Sequence, residues 1–261
     1  MVAYTELAGS GSGPAGNASA GTVLAGEANV GVPPSAAPHP STRAFSGAPG
    51  LSSTKTQPGT VISMLPGTGN QVALTVDDGT NSAVVRAYLE FVKSTGVRLT
   101  FFPNGRNPSW TEHAQTLRPL IDSGQVQIGN HTWSHPDLRG LSDSDIADEI
   151  TRNEAFFKNT FGISSRPFLR PPFGFHNDRV DRIAAGLGYT TIAMWYGSLA
   201  DSSVLTADEI MTNARKWLTA RRIVIGHANH LGITQAYPRL LELIRERNLQ
   251  TVTLNDIFAT T

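Results

Sequence analysis

The feature that most constrains this fold is an alternation, from about Val61 onward, between short apolar runs and longer stretches of helical periodicity. The apolar runs predict seven buried strands, at residues 71–76, 97–102, 126–129, 168–170, 190–194, 223–225 and 250–254. The stretches between them predict helices at residues 82–95, 111–123, 143–161, 177–187, 206–219 and 234–248. Such strands pair in parallel, because each helix returns the chain to the same end of the sheet. The pattern predicts an α/β fold, and it fits a doubly wound sheet and a barrel equally well.

The first 60 residues differ in composition from the rest of the chain. They hold ten of the 25 Gly and seven of the 16 Pro, but only two of the 20 aromatic residues. A segment so poor in large apolar side chains does not bury enough surface to offset the entropy of ordering it. We therefore expect residues 1–60 to form a flexible Ala/Gly/Ser/Pro-rich tail or linker, the alternative being an artefact of expression or of the gene start. Residues 61–261 are expected to form a single folded domain.

Charge and cysteine content exclude several classes of function. The chain has 21 Lys plus Arg, 21 Asp plus Glu and no Cys, so its formal net charge is zero. Without a basic excess we expect no nucleic-acid partner, and without Cys there is no disulfide, thiol nucleophile or Cys-ligated zinc. No apolar stretch approaches the roughly 18 to 20 residues of a membrane span. The N-terminal residues lack a basic region followed by an apolar one, so we expect no signal peptide in this sequence.

Ionisable residues cluster where the predicted strands end. They are Asp77, Asp78, His131, His135, Arg170 and His227. The carboxyl ends of parallel strands meet at one edge, and catalytic groups gather there because the loops vary while the scaffold stays rigid. We therefore expect these side chains to converge on one rim of the domain.

Each of these groups also has a structural interpretation when it is taken alone. Adjacent carboxylates before a Gly, as at residues 77–79, are typical of a solvated turn, although at the end of a buried strand they are costly unless a cation or an Arg compensates their charge. His131 and His135, four residues apart, would share one face of a helical turn, and the alternative is a surface helix with incidental histidines. Together, one Asp and two His with an open position suit Zn²⁺, and the other Asp, Arg and His can supply base, orienting group and acid.

The motifs at these positions resemble those of the polysaccharide deacetylases, carbohydrate esterase family 4 with its NodB-homology domain. Residues 75–79 (TVDDG) resemble T-F-D-D-G, residues 131–135 (HTWSH) resemble H-[ST]-x-x-H, and residues 170–174 (RPPFG) resemble R-x-P-[YF]. Residues 198–202 (SLADS) stand where D-x-x-D-W is expected, and residues 223–227 (IVIGH) are similar to the terminal strand-plus-His motif. The five motifs occur in the family's order.

The resemblance implies a distorted (β/α) barrel with about seven parallel strands, and it implies a role for each matching residue. By this resemblance the metal ligands are Asp78, His131 and His135, the general base is Asp77, its orienting partner is Arg170, the oxyanion donor is the Phe173 N–H, the general acid is His227 and the partner of that acid is Asp201. The implied cofactor is Zn²⁺, with another divalent transition metal as the alternative.

Four residues depart from the family pattern. Val76 replaces Phe and Phe173 replaces the more frequent Tyr, and neither change touches the proposed chemistry. Ser198 replaces the first acidic residue of the fourth motif, and Ser202 replaces the Trp that usually lines the pocket. We expect the chemistry to be kept and the substrate preference to be open.

The implied activity is removal of N-acetyl groups from a polysaccharide such as chitin oligomers or peptidoglycan, or of O-acetyl groups from acetylxylan. The alternatives are a non-catalytic carbohydrate-binding relative and a hydrolase of a small cyclic amide on the same scaffold. We expect a monomer that is secreted or associated with the cell envelope. About two of six aromatic residues near the loops are expected to stack on sugar faces. These six are Trp110, Trp133, Phe175, Trp195, Tyr196 and Tyr237.

Overall fold

The computed structural model describes residues 54–259. Its strands are β1 (Thr54–Lys55), β2 (Thr60–Ile62), β3 (Gln71–Asp78), β4 (Leu99–Pro103), β5 (Val126–Ile128), β6 (Phe168–Leu169), β7 (Thr191–Ala193), β8 (Gly197–Ser198), β9 (Ile223–His227), β10 (Gln250–Val252) and β11 (Phe258–Ala259). Its α-helices are α1 (Ser82–Thr95), α2 (Ser109–Glu112), α3 (Ala114–Asp122), α4 (Asp143–Phe161), α5 (Asp178–Gly186), α6 (Ala207–Trp217) and α7 (Gly232–Glu246). Short 3₁₀ turns cover Leu138–Gly140 and Pro172–Gly174. Within residues 54–259, no helix is long and apolar enough to cross a membrane.

The central sheet has the strand order β5-β4-β3-β9-β8, and β10 also pairs with β3. All of these pairs are parallel. β3 lies between β4 and β9, and its register places Asp77 opposite Phe102 on one side and His227 on the other. The carboxyl ends of the middle strands therefore bring residues distant in sequence to one edge.

A second parallel sheet has the order β2-β7-β6, and β1 pairs with β11 in a third. An isolated parallel bridge from Asn130 to Leu169 joins the end of β5 to β6. The predicted α/β class with parallel strands is confirmed, and a strand is found at each of the seven predicted positions. Hydrogen bonding divides these strands among separate sheets, so the barrel is not closed by one continuous ladder.

Local capping explains why two helices have the bounds that the periodicity predicts. The Asn81 side chain accepts from the first turn of α1, and Ser142 does the same for α4. Gly96 and Gly162 end these helices in the left-handed conformation, which glycine adopts without a steric cost. The single helix predicted at 111–123 is wrong, because the chain leaves the helical conformation at His113 and forms α2 and α3 instead.

Three buried apolar clusters hold the layers together. The largest packs helices such as α1 and α7 against the central sheet. A second fills the space between the two larger sheets and includes Phe102, Phe168 and Ile223. The third packs α4 and α5 against β6 and β7. Because apolar packing covers the strands, the polar groups at their carboxyl ends are held on a rigid base.

The predicted tail at residues 1–60 lies largely outside the described residues, and only its last part can be placed. β1 pairs with β11, and the Thr54 N–H donates to the Ile257 carbonyl at 2.7 Å. Thr56 is buried, and its hydroxyl accepts from the Thr191 hydroxyl at 2.8 Å. Residues 54–60 therefore belong to the domain rather than to a linker.

Two truncations should separate these parts of the chain. We expect removal of residues 1–53 to leave the melting temperature unchanged, because their composition offers little apolar surface for packing. Removal of residues 1–60 should lower it by roughly 5 °C, since the bonds made by Thr54 and Thr56 are lost. Scanning calorimetry on both proteins measures the difference. Equal melting temperatures would mean that β1 contributes nothing.

Candidate active site

The three predicted metal ligands lie together at the carboxyl ends of β3 and β5. Asp78 is the last residue of β3, and His131 and His135 are in the loop after β5. The Asp78 Oδ1 atom is 3.3 Å from His131 Nε2 and 3.5 Å from His135 Nε2. One ligand atom from each residue lies within 4.8 Å of the other two. This spacing allows the three side chains to bind one ion.

The hydrogen bonds around these residues fit a cation between them. Asp78 Oδ2 accepts from the Asn229 amide at 2.7 Å, but the buried Oδ1 atom has no hydrogen-bond partner among the described residues. His131 Nδ1–H donates to the Arg170 carbonyl at 2.7 Å, so in the neutral imidazole Nε2 holds a lone pair. A carboxylate oxygen and an imidazole lone pair facing each other at this distance repel unless a cation lies between them. The donor set suits a divalent transition metal.

The three candidate ligands differ in the direction in which their surroundings shift their pKa. Burial raises the pKa of Asp78, but the close imidazole of His131 and the charges of the surrounding histidines outweigh it and hold this pKa well below its usual range. Burial lowers the pKa of His131, but the charges of Asp77 and Asp78 raise it by more, so the net shift of this pKa is upward. Burial and the neighbouring His131 lower the pKa of His135 to about 4. Near neutral pH, His135 is therefore unprotonated and can offer a lone pair to a metal ion. At His131, a metal ion must compete with a proton.

The two histidines do not lie on a helical turn, and that prediction is wrong. Thr132 has φ of 68° and His135 has φ of 65°, both in the left-handed region. The Asn130 side chain accepts from the Thr132 N–H at 2.9 Å, and the Asn104 amide donates to the His131 carbonyl at 2.6 Å. Asparagine side chains therefore replace helical hydrogen bonds and fold the loop so that both imidazoles turn toward Asp78.

Asp78 is aimed by a tight turn at the end of β3. It has φ of 69°, which is unusual for a residue with a Cβ. Its carbonyl accepts from the Trp110 indole N–H at 2.8 Å and from the Asn107 amide at 3.0 Å. A Cβ on Gly79 would lie 2.4 Å from the Trp110 ring, so only glycine fits there. Trp110 thus supports the turn from the buried side.

Asp77 is held by a buried ion pair. Arg170 Nη1 donates to Asp77 Oδ1 at 2.7 Å, and both side chains are inaccessible to solvent. The same nitrogen donates to the Thr75 hydroxyl at 2.8 Å, and Arg170 Nε donates to the Ala193 carbonyl at 2.8 Å. The second oxygen of Asp77 lies 3.6 Å from His131 Nε2. One carboxylate oxygen is therefore fixed and the other faces the ligand triad.

Asp201 and His227 form a second pair beside the triad. His227 Nδ1–H donates to Asp201 Oδ1 at 3.1 Å, and the His227 backbone N–H donates to Oδ2 at 3.2 Å. Burial lowers the pKa of His227, but the hydrogen bond and charge of Asp201 raise it more, with further contributions from Asp77 and Asp78. The net pKa lies above its ordinary value, so His227 holds a proton to higher pH than a free histidine.

The departures in the fourth motif affect the approach to this pair. The Ser198 hydroxyl accepts from the Ala200 N–H at 2.9 Å and supports the turn that presents Asp201. Ser202 is exposed, and its carbonyl accepts from His230 Nε2 at 3.0 Å. The large side chain expected at position 202 is absent, which leaves this side of the rim open.

Phe173 lies on the opposite side of the triad. It has φ of 59°, its ring is exposed, and the ring packs edge-on against His135 with 4.5 Å between centroids. Two hydrogen bonds fix the turn, from Gly174 N–H to Pro171 O and from Phe175 N–H to Pro172 O. The Phe173 N–H takes no part in either of them.

Part of the chain is similar to proteins of a known family. The family model described as polysaccharide deacetylase matches residues 65–192. This part of the chain matches the polysaccharide deacetylase family. The match includes both carboxylates, both loop histidines, Arg170 and Phe173, whereas Asp201 and His227 lie beyond it. The Asp201–His227 pair is therefore an observation of the structure, outside the range of the family match.

Individual relatives differ in how much of their sequence they share with this chain. A peptidoglycan-N-acetylglucosamine deacetylase of Bacillus cereus is 27% identical over 194 residues, which cover 73% of this chain and 69% of that protein. A chitin deacetylase of Pestalotiopsis sp is 35% identical over 123 residues, which cover 47% of this chain and 41% of that protein. The solved structure of the Bc1960 peptidoglycan N-acetylglucosamine deacetylase has a TM-score of 0.69 and 24% identity, covering 78% of this chain and 94% of that one. The solved structure shares the polysaccharide deacetylase fold.

Sequence reasoning missed the residues that support this candidate site. Asn229 binds the Asp78 carboxylate, Thr75 binds Arg170, and Asn104 holds the histidine loop. Their only sequence signal is closeness to a strand end. Two of the six candidate sugar-stacking residues, Trp110 and Tyr237, are buried, so stacking by them is excluded.

Proposed function

We propose that this protein is a metal-dependent hydrolase that removes N-acetyl groups from a polysaccharide, with O-acetyl groups as the ester alternative. The observation that carries the proposal is the placement of Asp77 and His227 opposite each other in register, on adjoining strands beside the Asp78–His131–His135 triad. A base and an acid thus stand at one centre. The relatives named as peptidoglycan and chitin deacetylases support a glycan substrate. We also propose a monomer that acts at the cell envelope or outside the cell.

In this proposal Asp78, His131 and His135 hold the metal, for which Zn²⁺ is the leading candidate. When bound, the ion would act as a Lewis acid toward the acetyl carbonyl. Asn229 fixes the second oxygen of Asp78, and Arg170 fixes the tautomer of His131 through its carbonyl. These contacts orient the ligands before the ion binds, which strengthens binding.

Asp77 is the proposed general base. Its Oδ2 atom faces the triad, while Oδ1 is fixed by Arg170, so the carboxylate has one orientation and one oxygen available. Asp77 can therefore take a proton from the attacking water as the new C–O bond forms.

Two other groups would act on the tetrahedral intermediate. The Phe173 N–H is proposed to donate to the negatively charged oxygen of this intermediate, a contact typically worth about 3 kcal/mol. His227 is the proposed acid. Because Nδ1 is bonded to Asp201, the proton available to the departing amine is on Nε2. An amide nitrogen leaves readily only when it is protonated, so this proton is needed for bond cleavage.

Acetate release separates this proposal from its alternatives. Acetate is measured with chitin oligomers, peptidoglycan and acetylxylan, and ring opening is measured with a small cyclic amide, each with and without chelator. We expect acetate from at least one N-acetylated glycan, lost with chelator and restored by Zn²⁺. Release from acetylxylan alone would assign an esterase, and turnover of the cyclic amide alone would assign that class. Glycan binding without any turnover would identify a non-catalytic relative.

Asp201→Asn tests the proposed acid. The substitution removes a negative charge from the His227 Nδ1 side while keeping the shape, so the pKa of His227 should fall. The protonated acid is then lost at lower pH, and the alkaline limb of the kcat profile should move to lower pH while the acid limb stays in place. N-acetyl sugars should lose more rate than an activated aryl acetate, whose leaving group needs little protonation. An unmoved alkaline limb with equal loss on both substrates would remove Asp201 from this role.

A further inference from the structure

A cleft of about 390 Å³ opens beside the ligand triad, and Asp78 and His135 form its inner end. Arg106 and Trp133 line its outer part. A glycan chain that runs from a sugar at the triad into this space would contact the residues along the cleft.

The backbone fixes the position of Arg106 at this wall. The Gly105 N–H donates to the Asn153 side chain at 2.8 Å, and a Cβ on Gly105 would lie 2.6 Å from the same oxygen. The Arg106 N–H donates to the Trp133 carbonyl at 3.3 Å. The loop thus packs closely against α4, and hydrogen bonds fix the backbone from which the Arg106 side chain extends.

A second arginine stands at the same tryptophan. Arg152 precedes Asn153 on α4, and its guanidinium carbon lies 4.3 Å from the centroid of the Trp133 ring. Both arginines are exposed. We call Arg106, Trp133 and Arg152 the cationic wall.

Acidic neighbours do not neutralise the cationic wall. Among the described residues, neither arginine forms an ion pair with a carboxylate within 4.0 Å, although Asp148 lies one turn before Arg152. Glu149 is close, but both of its oxygens accept hydrogen bonds from Ser134, at 2.8 and 2.6 Å. Among the described residues, the arginines at the outer part of the cleft are therefore not held in an ion pair, whereas Asp78 is the carboxylate at its inner end.

We propose that the cationic wall binds the carboxylate of an acidic sugar next to the sugar that is deacetylated. The proposal rests on the proposed deacetylase function and names its substrate class as a carboxylate-bearing glycan, such as a strand containing N-acetylmuramic acid, rather than neutral chitin. A guanidinium matches the two oxygens of a carboxylate, and the indole offers an apolar surface to a pyranose ring. A neutral glycan engages only the indole.

A matched pair of substrates tests the proposal. One is a tetrasaccharide of alternating N-acetylglucosamine and N-acetylmuramic acid, and the other is the same compound with each carboxylate converted to a primary amide. For the wild-type protein we expect kcat/KM on the acidic form to exceed that on the amide by about tenfold to a hundredfold. Arg106→Gln should remove most of this preference by slowing only the acidic form, and Arg152→Gln should reduce it less. Arg86→Gln, on the exposed surface of α1, is the control and should keep the preference.

Ionic strength and binding supply independent readouts. Added salt should lower kcat/KM of the wild-type protein on the acidic form more than on the amide, and this difference should shrink in Arg106→Gln. Equal kcat/KM on both forms in every variant would overturn the cationic wall and leave the deacetylase function intact. Dissociation constants of the acidic and the amide tetrasaccharides, measured with Asp77→Asn, test the opposite case, in which the cationic wall binds the carboxylate but the protein is not a deacetylase. A preference for the acidic form that depends on Arg106, without acetate release by the wild-type protein, would support the cationic wall and reject the function.

Discussion

Asp77→Asn should lower kcat by about 100-fold to 10,000-fold while the metal content stays at one ion per chain. The amide keeps the size of the carboxylate and an oxygen for Arg170, but it cannot take a proton. The ligand triad does not include Asp77, so metal binding should survive. Single-turnover acetate release and elemental analysis of the same preparation measure the two quantities together.

Loss of the Asp77 charge also leaves Arg170 without its carboxylate in a buried site, so the variant should melt at a lower temperature. Assays must therefore be made well below the transition, with circular dichroism as a check of folding. Thr75→Val is the matched control, because it removes a neighbouring hydrogen bond to Arg170 without changing any charge. We expect it to cost less than about tenfold in kcat. Wild-type turnover by fully metallated Asp77→Asn would exclude Asp77 as the base.

His131→Ala should abolish stoichiometric metal binding and activity together. The imidazole is buried, its orientation is fixed by the Arg170 carbonyl, and its Nε2 atom faces Asp78. Two remaining ligands hold Zn²⁺ weakly against water, so affinity should fall by well over about 100-fold. Titration calorimetry with Zn²⁺ measures this loss, and added Zn²⁺ should raise the melting temperature of the wild-type protein but not of the variant.

His176→Ala is the control for the loss of one histidine. Its side chain pairs with Asp181 at 2.9 Å and lies outside the triad, so metal content should be unchanged. His135→Ala should behave like His131→Ala, with a smaller effect on stability because His135 is more exposed. Full metal content in both ligand variants would reject the assignment of these residues.

Elements specified by nearby residues can be predicted from the sequence, and elements specified by distant partners cannot. The bounds of α1 and α4 are predictable because apolar periodicity and the caps lie within the segments themselves. β1, by contrast, has two residues, and it exists because Thr54 pairs with Phe258 at the other end of the domain. A run that short has no periodicity of its own, and its pairing depends on the complete fold.

The site shows the same division. Residue types and their order at the strand ends identify the two carboxylates, the two loop histidines and His227 as candidates, because parallel strands bring their ends together. The division of roles between Asp77 and Asp78 comes from the resemblance to the polysaccharide deacetylases. The shape of the histidine loop is not predictable from its own sequence, since Asn104 and Asn130 supply its hydrogen bonds from outside the motif. Asn229 is missed for a similar reason, because its role depends on where β9 places it beside Asp78.

Arg170 joins the proposed base and one proposed metal ligand into a single mechanical unit. Its guanidinium holds Asp77 and its own carbonyl holds His131, and the Asn130–Leu169 bridge ties this part of the chain to the end of β5. Thermal displacement of β6 should therefore carry the carboxylate and the imidazole together rather than change the distance between them. The entropy of aligning these two groups is lost once, when the chain folds, and is not lost again in each catalytic cycle.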